Sequence, residues 1–324
     1  MLVLITDTGA TQLVAATSPF SCARALRTRG HLPSAHRSFT CKQKCSAQAA
    51  TAVQEAMPRS LTPSVSSSVD LSSVLALDNI RQTLIRQEDT IIFLLIERAQ
   101  FALNAAVYKT DAVPVPDFDS AGRRYSLLEY LLRETEQVHG RIRRYTSPDE
   151  QPFYPDRVPP LVLPPIEYAE VLVPQAKGIN LNKQIMDLYL QELMPGITEP
   201  GDDNNYGSAA MQDVLCLQAL SKRIHYGKFV AEAKYRAHPE QYEQLIQYRD
   251  HDAIMSTLTN EDVEKKVIER VQRKAAIFGQ DITDGKQQLS TFKVEPSTVA
   301  NLYEKWIMPL TKQVQVAYLL QRLD

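Results

Sequence analysis

Eleven glycines in a chain of 324 residues are too few for the many tight turns of a β-rich or dinucleotide-binding architecture. No apolar run approaches the roughly 20 residues needed to span a bilayer, so no membrane segment is expected. The formal charge of −2 lacks the basic excess of a nucleic-acid binder. Cysteine is equally sparse. Cys22, Cys41, Cys45 and Cys216 show no metal-ligand spacing, and three of them lie near the N-terminus. The folded part is expected to carry one buried thiol and no disulfide, which fits a reducing compartment.

Acidic residues are nearly missing from the start of the chain. Residues 1–69 hold seven Lys or Arg against Asp7 and Glu55, leaving the remainder with 29 basic and 36 acidic residues, a net of −7. The same stretch is rich in Ser, Thr and Ala and ends in a serine cluster at 64–68. That is the composition of a chloroplast or mitochondrial transit peptide, the alternative being a disordered tail. Residues 1–65 are therefore set aside as a leader, disordered or removed, and 66–324 are read as one folded domain.

From Asp70 onward the apolar spacing is helical. Leu77, Ile80, Leu84, Ile91, Ile92, Leu95 and Ala99 follow a 3.6-residue period within 74–105. A second amphipathic stretch covers 125–145. Residues 152–165 contain six prolines in 14 positions and read as an extended surface connection. Helical patterns resume at 179–194, 209–236, 239–248, 250–257, 260–277 and 296–323, with a polar loop at 281–293. The fold is expected to be all-α, a single domain of long buried helices.

Chemistry concentrates in residues 213–236, read as one helix. Arg223, Gly227, Val230 and Lys234 fall at offsets 0, 4, 7 and 11, on one face. The two cations start about 16 Å apart and converge through long side chains over Gly227. A glycine in a helix interior costs about 1 kcal/mol relative to alanine, so its presence suggests close approach by something. Two cations over a small residue make a seat for a small dianion. Elsewhere Arg81 lies beside an apolar stripe, Glu264 follows a helix start that Thr259 or Asn260 could cap, and Thr311 and Gln315 sit one turn apart. Each has a plainer reading: Arg81 paired with Glu88, Glu264 as a solvated first-turn acid. His139 and His225 lack a second metal ligand, Trp306 and Leu310 read as packing, and Lys265, Lys266 and Arg270 as a solvated face.

Four blocks carry a family likeness: NIRQTLIRQEDTIIFLLIERA at 79–99, SPDEQPFYPD at 147–156, NNYGSAAMQDVLCLQALSKRIHYGKFVAEAKY at 204–235 and WIMPLTKQVQVAYLLQRLD at 306–324. In this order, over about 250 residues, the chain resembles the all-helical chorismate mutases of plants and fungi, and with its leader the plastid form. The resemblance implies a Claisen rearrangement of chorismate to prephenate, on the route to phenylalanine and tyrosine, without cofactor or metal. It also implies a homodimer in the chloroplast stroma. Arg81 and Arg223 then match carboxylate-binding arginines. Lys234 matches a lysine reaching the ether oxygen, Glu264 the acceptor of the ring hydroxyl with Asn260 beside it, Thr311 a supporting donor and Gln315 the second ether-oxygen donor. Fungal relatives carry a glutamate at that last position.

The resemblance further implies control by tryptophan, tyrosine or phenylalanine. Arg143 and Arg144 match the effector-site arginines, and Asn205, Gly207 and Ser208 a backbone-and-hydroxyl cradle. Tyr303 corresponds to another effector-site position. Met211 departs from the fungal pattern, which has threonine. Arg143 and Arg144 also suit a helix C-terminus, and 201–208 is simply a good loop. Three readings stay open: a regulated mutase, the same catalyst without regulation, and a non-catalytic helical binding protein.

Overall fold

The 3.6-residue repeat that opens the folded region closes into α1, Leu77–Arg98, which buries Ile80, Ile91, Ile92, Leu95 and Ile96. A computed structural model describes residues 72–116, 122, 124–166, 168, 170–280 and 292–324. The expected leader at 1–65 and most of the expected polar loop at 281–293 lie outside the described residues. After α1 come α2 (Leu127–Arg141), α3 (Asn182–Leu188) and α4 (Met194–Ile197), the last two joined by a π-helical turn, Tyr189–Leu193. Then follow α5 (Tyr206–His225), α6 (Gly227–Ala237), α7 (Pro239–Gln247), α8 (His251–Leu258) and α9 (Glu261–Phe278). The chain closes with α10 (Pro296–Leu302), a second π-helical turn at Tyr303–Ile307, and α11 (Met308–Leu320). No strand occurs among the described residues, where Gln280 and Phe292 form one isolated bridge. The all-α expectation holds.

α5 is the central post. It buries residues on nearly every face and packs against α1, α2, α3 and α11. Its charged anchor is Asp213, fully buried, which accepts from Arg98 Nε at 2.6 Å, Tyr189 Oη at 2.7 Å and Tyr108 Oη at 2.9 Å. Arg98 spends its other donors on Tyr108 and the carbonyls of Phe101, Ala102 and Leu103. A buried pair this completely satisfied is held in one arrangement, and loss of either partner would strand a charge in the core. Cys216 is the expected free, buried thiol.

The single helix expected over 213–236 is broken. Tyr226 separates α5 from α6, with its N–H bonded to the Lys222 carbonyl at 3.0 Å while its own carbonyl receives the Phe229 N–H at 3.1 Å. That i→i+3 bond tightens one turn without abandoning the hydrogen-bond ladder. The reason lies across the gap. A Cβ on Gly227 would sit 2.7 Å from the Thr311 carbonyl oxygen and 3.2 Å from both Thr311 Cγ2 and Val314 Cγ1. Gly227 therefore admits the backbone of α11, not a ligand as the sequence suggested.

The proline-rich connection is a strap pinned along its length. Phe153 and Tyr154 donate their N–H groups to Glu136 at 2.7 and 2.9 Å. Asn180 and Asn182 donate to the carbonyls of Pro152 and Gln151. The Leu181 N–H donates to His225 Nε2 at 2.9 Å, which leaves His225 Nδ1 to donate to the Ser221 carbonyl at 2.8 Å. Burial lowers the His225 pKa to about 4, consistent with that neutral tautomer. His225 is thus the hydrogen-bonded helix residue expected, and no metal ligand.

Because backbone, not a flexible tip, faces Gly227, a methyl there must push α6 from α11. Gly227→Ala is expected to lower the unfolding free energy by about 1–3 kcal/mol. Gly178→Ala, whose Cβ would meet nothing within 4 Å, serves as the control. Urea unfolding of both variants measures the difference; equal midpoints would mean that the helices are not held at this separation.

Candidate active site

The α6–α11 approach carries Thr311 and Gln315 up to Arg223. The Arg223 side chain is 5 % exposed, and its Nη1 donates to Thr311 Oγ1 at 3.4 Å. Thr311 Oγ1 in turn donates to the Ile307 carbonyl at 2.5 Å, and Gln315 Nε2 donates to the Thr311 carbonyl at 3.3 Å. Arg223 Nε, Gln315 Oε1 and Tyr303 Oη are buried without a hydrogen-bond partner. No carboxylate stands within ion-pair distance of Arg223 among the described residues, and burial lowers its pKa. Orphaned donors and acceptors of this kind mark a place where a ligand completes the bonding.

About three turns further along, on α6, lies a second charged group. Lys234 Nζ donates to the Leu258 carbonyl at 3.0 Å, burial lowering its pKa and Glu264 partly offsetting that. Glu264 pairs with Lys312 at 3.0 Å, and Lys312 reaches Thr259 Oγ1 at 3.4 Å. Lys312 was not anticipated. Its only signal in the sequence is its place between Thr311 and Gln315 on α11. Asn260 is the N-cap of α9, its side-chain oxygen accepting the Val263 N–H at 3.1 Å. That engages Asn260 structurally at the edge of the Glu264 turn.

Arg81 is not gathered with these groups. Its side chain is 67 % exposed near the start of α1 and pairs with Asp78 at 2.8 Å. Such an exposed pair is worth about 0–1 kcal/mol, so the arginine is free to exchange partners. Its expected partner, Glu88, is engaged elsewhere. Glu88 is 1 % exposed and accepts from Arg270 at 2.6 and 2.9 Å and from Lys274 at 3.2 Å, tying α1 to α9. Arg270 is therefore a half-buried ion-pair partner, not a member of a solvated face.

The effector candidates fall into three places. Arg144 donates to Glu150 at 3.1 Å, Gln218 at 2.7 Å and His139 at 2.8 Å; Arg143, with φ of 76°, donates to the Pro164 carbonyl at 2.9 Å. Both line a cavity of about 370 Å³ together with Lys222 and Tyr168. Asn205, Gly207 and Ser208 sit exposed at the N-terminus of α5, ten residues before Gln218 and so about 15 Å along the helix from Arg144's contact. Tyr303 belongs to neither. It is fully buried in a π-helical turn, where burial raises its pKa and Arg223 opposes that rise, so it lies beside the Arg223 cluster.

Comparison with known proteins adds the following. The family model for chorismate mutase type II matches residues 205–316. The chain is 51 % identical over 259 residues to the chloroplastic chorismate mutase 3 of Arabidopsis thaliana, covering 79 % of this chain and 80 % of that protein. It resembles the Candida albicans chorismate mutase solved with L-Trp at TM-score 0.73 and 44 % identity, over 78 % of this chain and 94 % of that one. It also resembles AtCM1, solved with tyrosine in its allosteric site, at TM-score 0.70 and 49 % identity, over 79 % of this chain and 99 % of that one.

Arg223, buried without an anion, costs folding energy that a ligand offsets. Arg223→Met is expected to leave the thermal unfolding midpoint unchanged or raised, since an apolar side chain of similar length removes an uncompensated charge. A clearly lowered midpoint would show that the protein itself holds this guanidinium.

Proposed function

The chain belongs to the type II chorismate mutases, and from that premise we propose that the Arg223–Thr311–Gln315 and Lys234–Glu264 groups bind chorismate and direct its rearrangement to prephenate. The observation that carries this reading is the set of buried, unpartnered polar atoms where α5, the second π-helical turn and α11 meet. The enzyme is an isomerase. Its reaction breaks an ether C–O bond and forms a C–C bond within one molecule, so it needs orientation and charge stabilisation rather than a nucleophile.

In this reading Arg223 takes one substrate carboxylate bidentately, its idle Nε supplying the second bond, and Thr311 holds the guanidinium plane. Arg81 swings from Asp78 to the other carboxylate, trading a weak exposed pair for a shielded one. Lys234 donates to the ether oxygen as negative charge develops there, and Gln315 Nε2 gives the opposing hydrogen bond. Gln315 must turn from the Thr311 carbonyl to do so, which its long 3.3 Å contact permits. Glu264, oriented by Lys312, accepts the ring hydroxyl, and Asn260 holds the first turn of α9 that carries it.

Regulation by aromatic amino acids fits the second locus. The ligand-bound allosteric sites of the relatives support assigning an amino-acid effector here, with its carboxylate at Arg143 and Arg144. Gly207 and Ser208 offer N–H groups at a helix N-terminus, a complementary seat beside Asn205, whose own N–H is held by Asp203 at 2.9 Å. Within one chain these two halves are too far apart to grip one small molecule. A homodimer that brings the α5 N-terminus of one protomer to the arginines of its partner resolves the distance. Chloroplastic relatives and the acid-poor leader support a plastid location, and the stroma is the compartment assigned.

Lys234→Ala is expected to reduce turnover of chorismate by at least 10³-fold with helix content intact, followed by ultraviolet absorbance and circular dichroism; retained turnover overturns the assignment. Because an amide does not titrate, activity should be flat between mildly acidic and mildly alkaline pH. Gln315→Glu should convert that plateau into a fall as pH rises and the buried acid loses the proton it donates. For regulation, tryptophan and tyrosine are expected to shift the rate in opposite directions, and Arg144→Ala to abolish both responses while sparing basal turnover. Wild-type indifference to both amino acids would remove the effector assignment and leave the enzyme.

A further inference from the structure

Beneath the proline-rich strap lies a cavity of about 650 Å³ that the rearrangement does not use. Its walls are apolar in larger part, from Pro152, Pro155, Val158, Ile166, Leu172 and Val173, with Glu150, Glu170 and Lys177 also on the lining, and Lys228 of α6 stands among them. Lys228 is 1 % exposed. It makes no hydrogen bond or ion pair with any described residue, and desolvation alone acts on its pKa, lowering it to about 8.

A buried ammonium without an anion is costly, and natural cores seldom keep one. Of the carboxylates nearby, Glu170 is exposed and makes no ion pair with Lys228, and the other two are engaged elsewhere. Glu232, one turn further along α6, accepts from Arg236, Arg322 and Tyr318 at 2.6–2.7 Å. Glu150, which lines the cavity, is taken by Arg144 and Lys222. His225 is committed by its two hydrogen bonds as a neutral ring. The chain thus sets a buried cation on the lining of the chamber with no carboxylate within ion-pair distance of it.

The chamber is also built rather than incidental. One wall is fixed by the bonds of Glu136, Asn180 and Asn182 to the strap. The other is fixed by Arg236 bonding the Val171 carbonyl at 3.1 Å and by Tyr318 accepting the Val173 N–H at 3.3 Å. The volume lies within the range of about 300–1,000 Å³ usual for small-ligand sites, mostly apolar with few polar groups.

We propose that this chamber is a second ligand site, distinct from the rearrangement site and the effector cavity, that takes a small organic carboxylate with an apolar body and seats its carboxylate on Lys228. It shares Ser147, Glu150, Ile166 and Tyr168 with the effector cavity, but neither Arg143 nor Arg144 lines it. Its contrast with the effector locus is one of chemistry: a point cation in an apolar chamber selects a carboxylate and a ring or chain, with no guanidinium fork.

The test is calorimetric titration of the full chain with 3-phenylpropionate as probe and 3-phenylpropan-1-ol as its neutral counterpart. Wild type is expected to bind the acid at least tenfold more tightly than the alcohol. Lys228→Met should lose at least tenfold for the acid and nothing for the alcohol, with its thermal midpoint unchanged or raised. Arg144→Ala and Arg223→Met should bind the acid as wild type does, which separates this site from the effector and rearrangement sites. Val173→Trp, which retains Lys228 but fills the chamber, gives an independent arm and should abolish binding. No millimolar binding by wild type, full binding by Lys228→Met or Val173→Trp, or loss in Arg144→Ala or Arg223→Met each overturns the proposal.

Discussion

The contact of Gly227 with the Thr311 carbonyl is the constraint on which the site is built. α6 and α11 meet backbone to backbone at this point, with no room for a methyl between them. Three consequences follow from that one separation. α6 begins at Gly227, straight after the tightened turn at Tyr226, and packs along its length on α11. Thr311 comes within reach of Arg223, and Gln315, one turn later, enters the same buried space. Lys312, next to Thr311, is turned toward Glu264. A larger residue at 227 would move α6 and α11 apart as bodies, whereas a change to any one candidate site residue alters a single bond.

Buried charge is handled in two opposite ways. Asp213 and Arg98 at the centre, and Glu232 between α6 and the C-terminal turn, are saturated with partners. Burial works against the Glu232 charge, but the bonds from Arg322, Tyr318 and Arg236 hold its pKa below the ordinary carboxylate value. These clusters lock helices in register. Arg223 and Gln315 are left short of partners in the same low-dielectric interior, where each vacancy is costly. The locked clusters offset that cost, and in the proposed reading the vacancies are preorganised for a transition state whose charge they meet without rearrangement of solvent.

The helices were legible because each buries one periodic stripe; α9 lies within one residue of where the spacing places it, while α1 stops at Arg98, seven residues short of the expected 105. The break at Tyr226 was not, since neither proline nor loss of the hydrogen-bond ladder announces it. Gly227 was read correctly as a point of close approach, but local sequence cannot say what approaches, and the answer lies 84 positions later at Thr311. The same distance hid Arg270. Its neighbours Lys265 and Lys266 are exposed, and its partner Glu88 is 182 residues away. Arg81 shows the reverse error: it sits next to an apolar stripe but points to solvent and Asp78. Tyr303 was grouped with the effector residues, yet its burial beside Arg223 follows from a π-helical turn that periodicity does not reveal.

That placement of Tyr303 bears on how two loci could communicate. Arg144 grips Gln218 on α5, and Arg223 stands five residues further along the same helix, about 7.5 Å of axial rise. A shift of α5 that adjusts the Arg144–Gln218 bond must also move Arg223 relative to Tyr303, whose hydroxyl has no hydrogen-bond partner to resist it. Glu88, held by Arg270 and Lys274, keeps α1 and α9 tied while that happens. The rigid element is α5, and the soft contacts are the long bond to Thr311 and the idle groups around Arg223. In the proposed reading, a ligand on the arginines that follow α2 acts on the Arg223 site through one helix rather than through a chain of side chains.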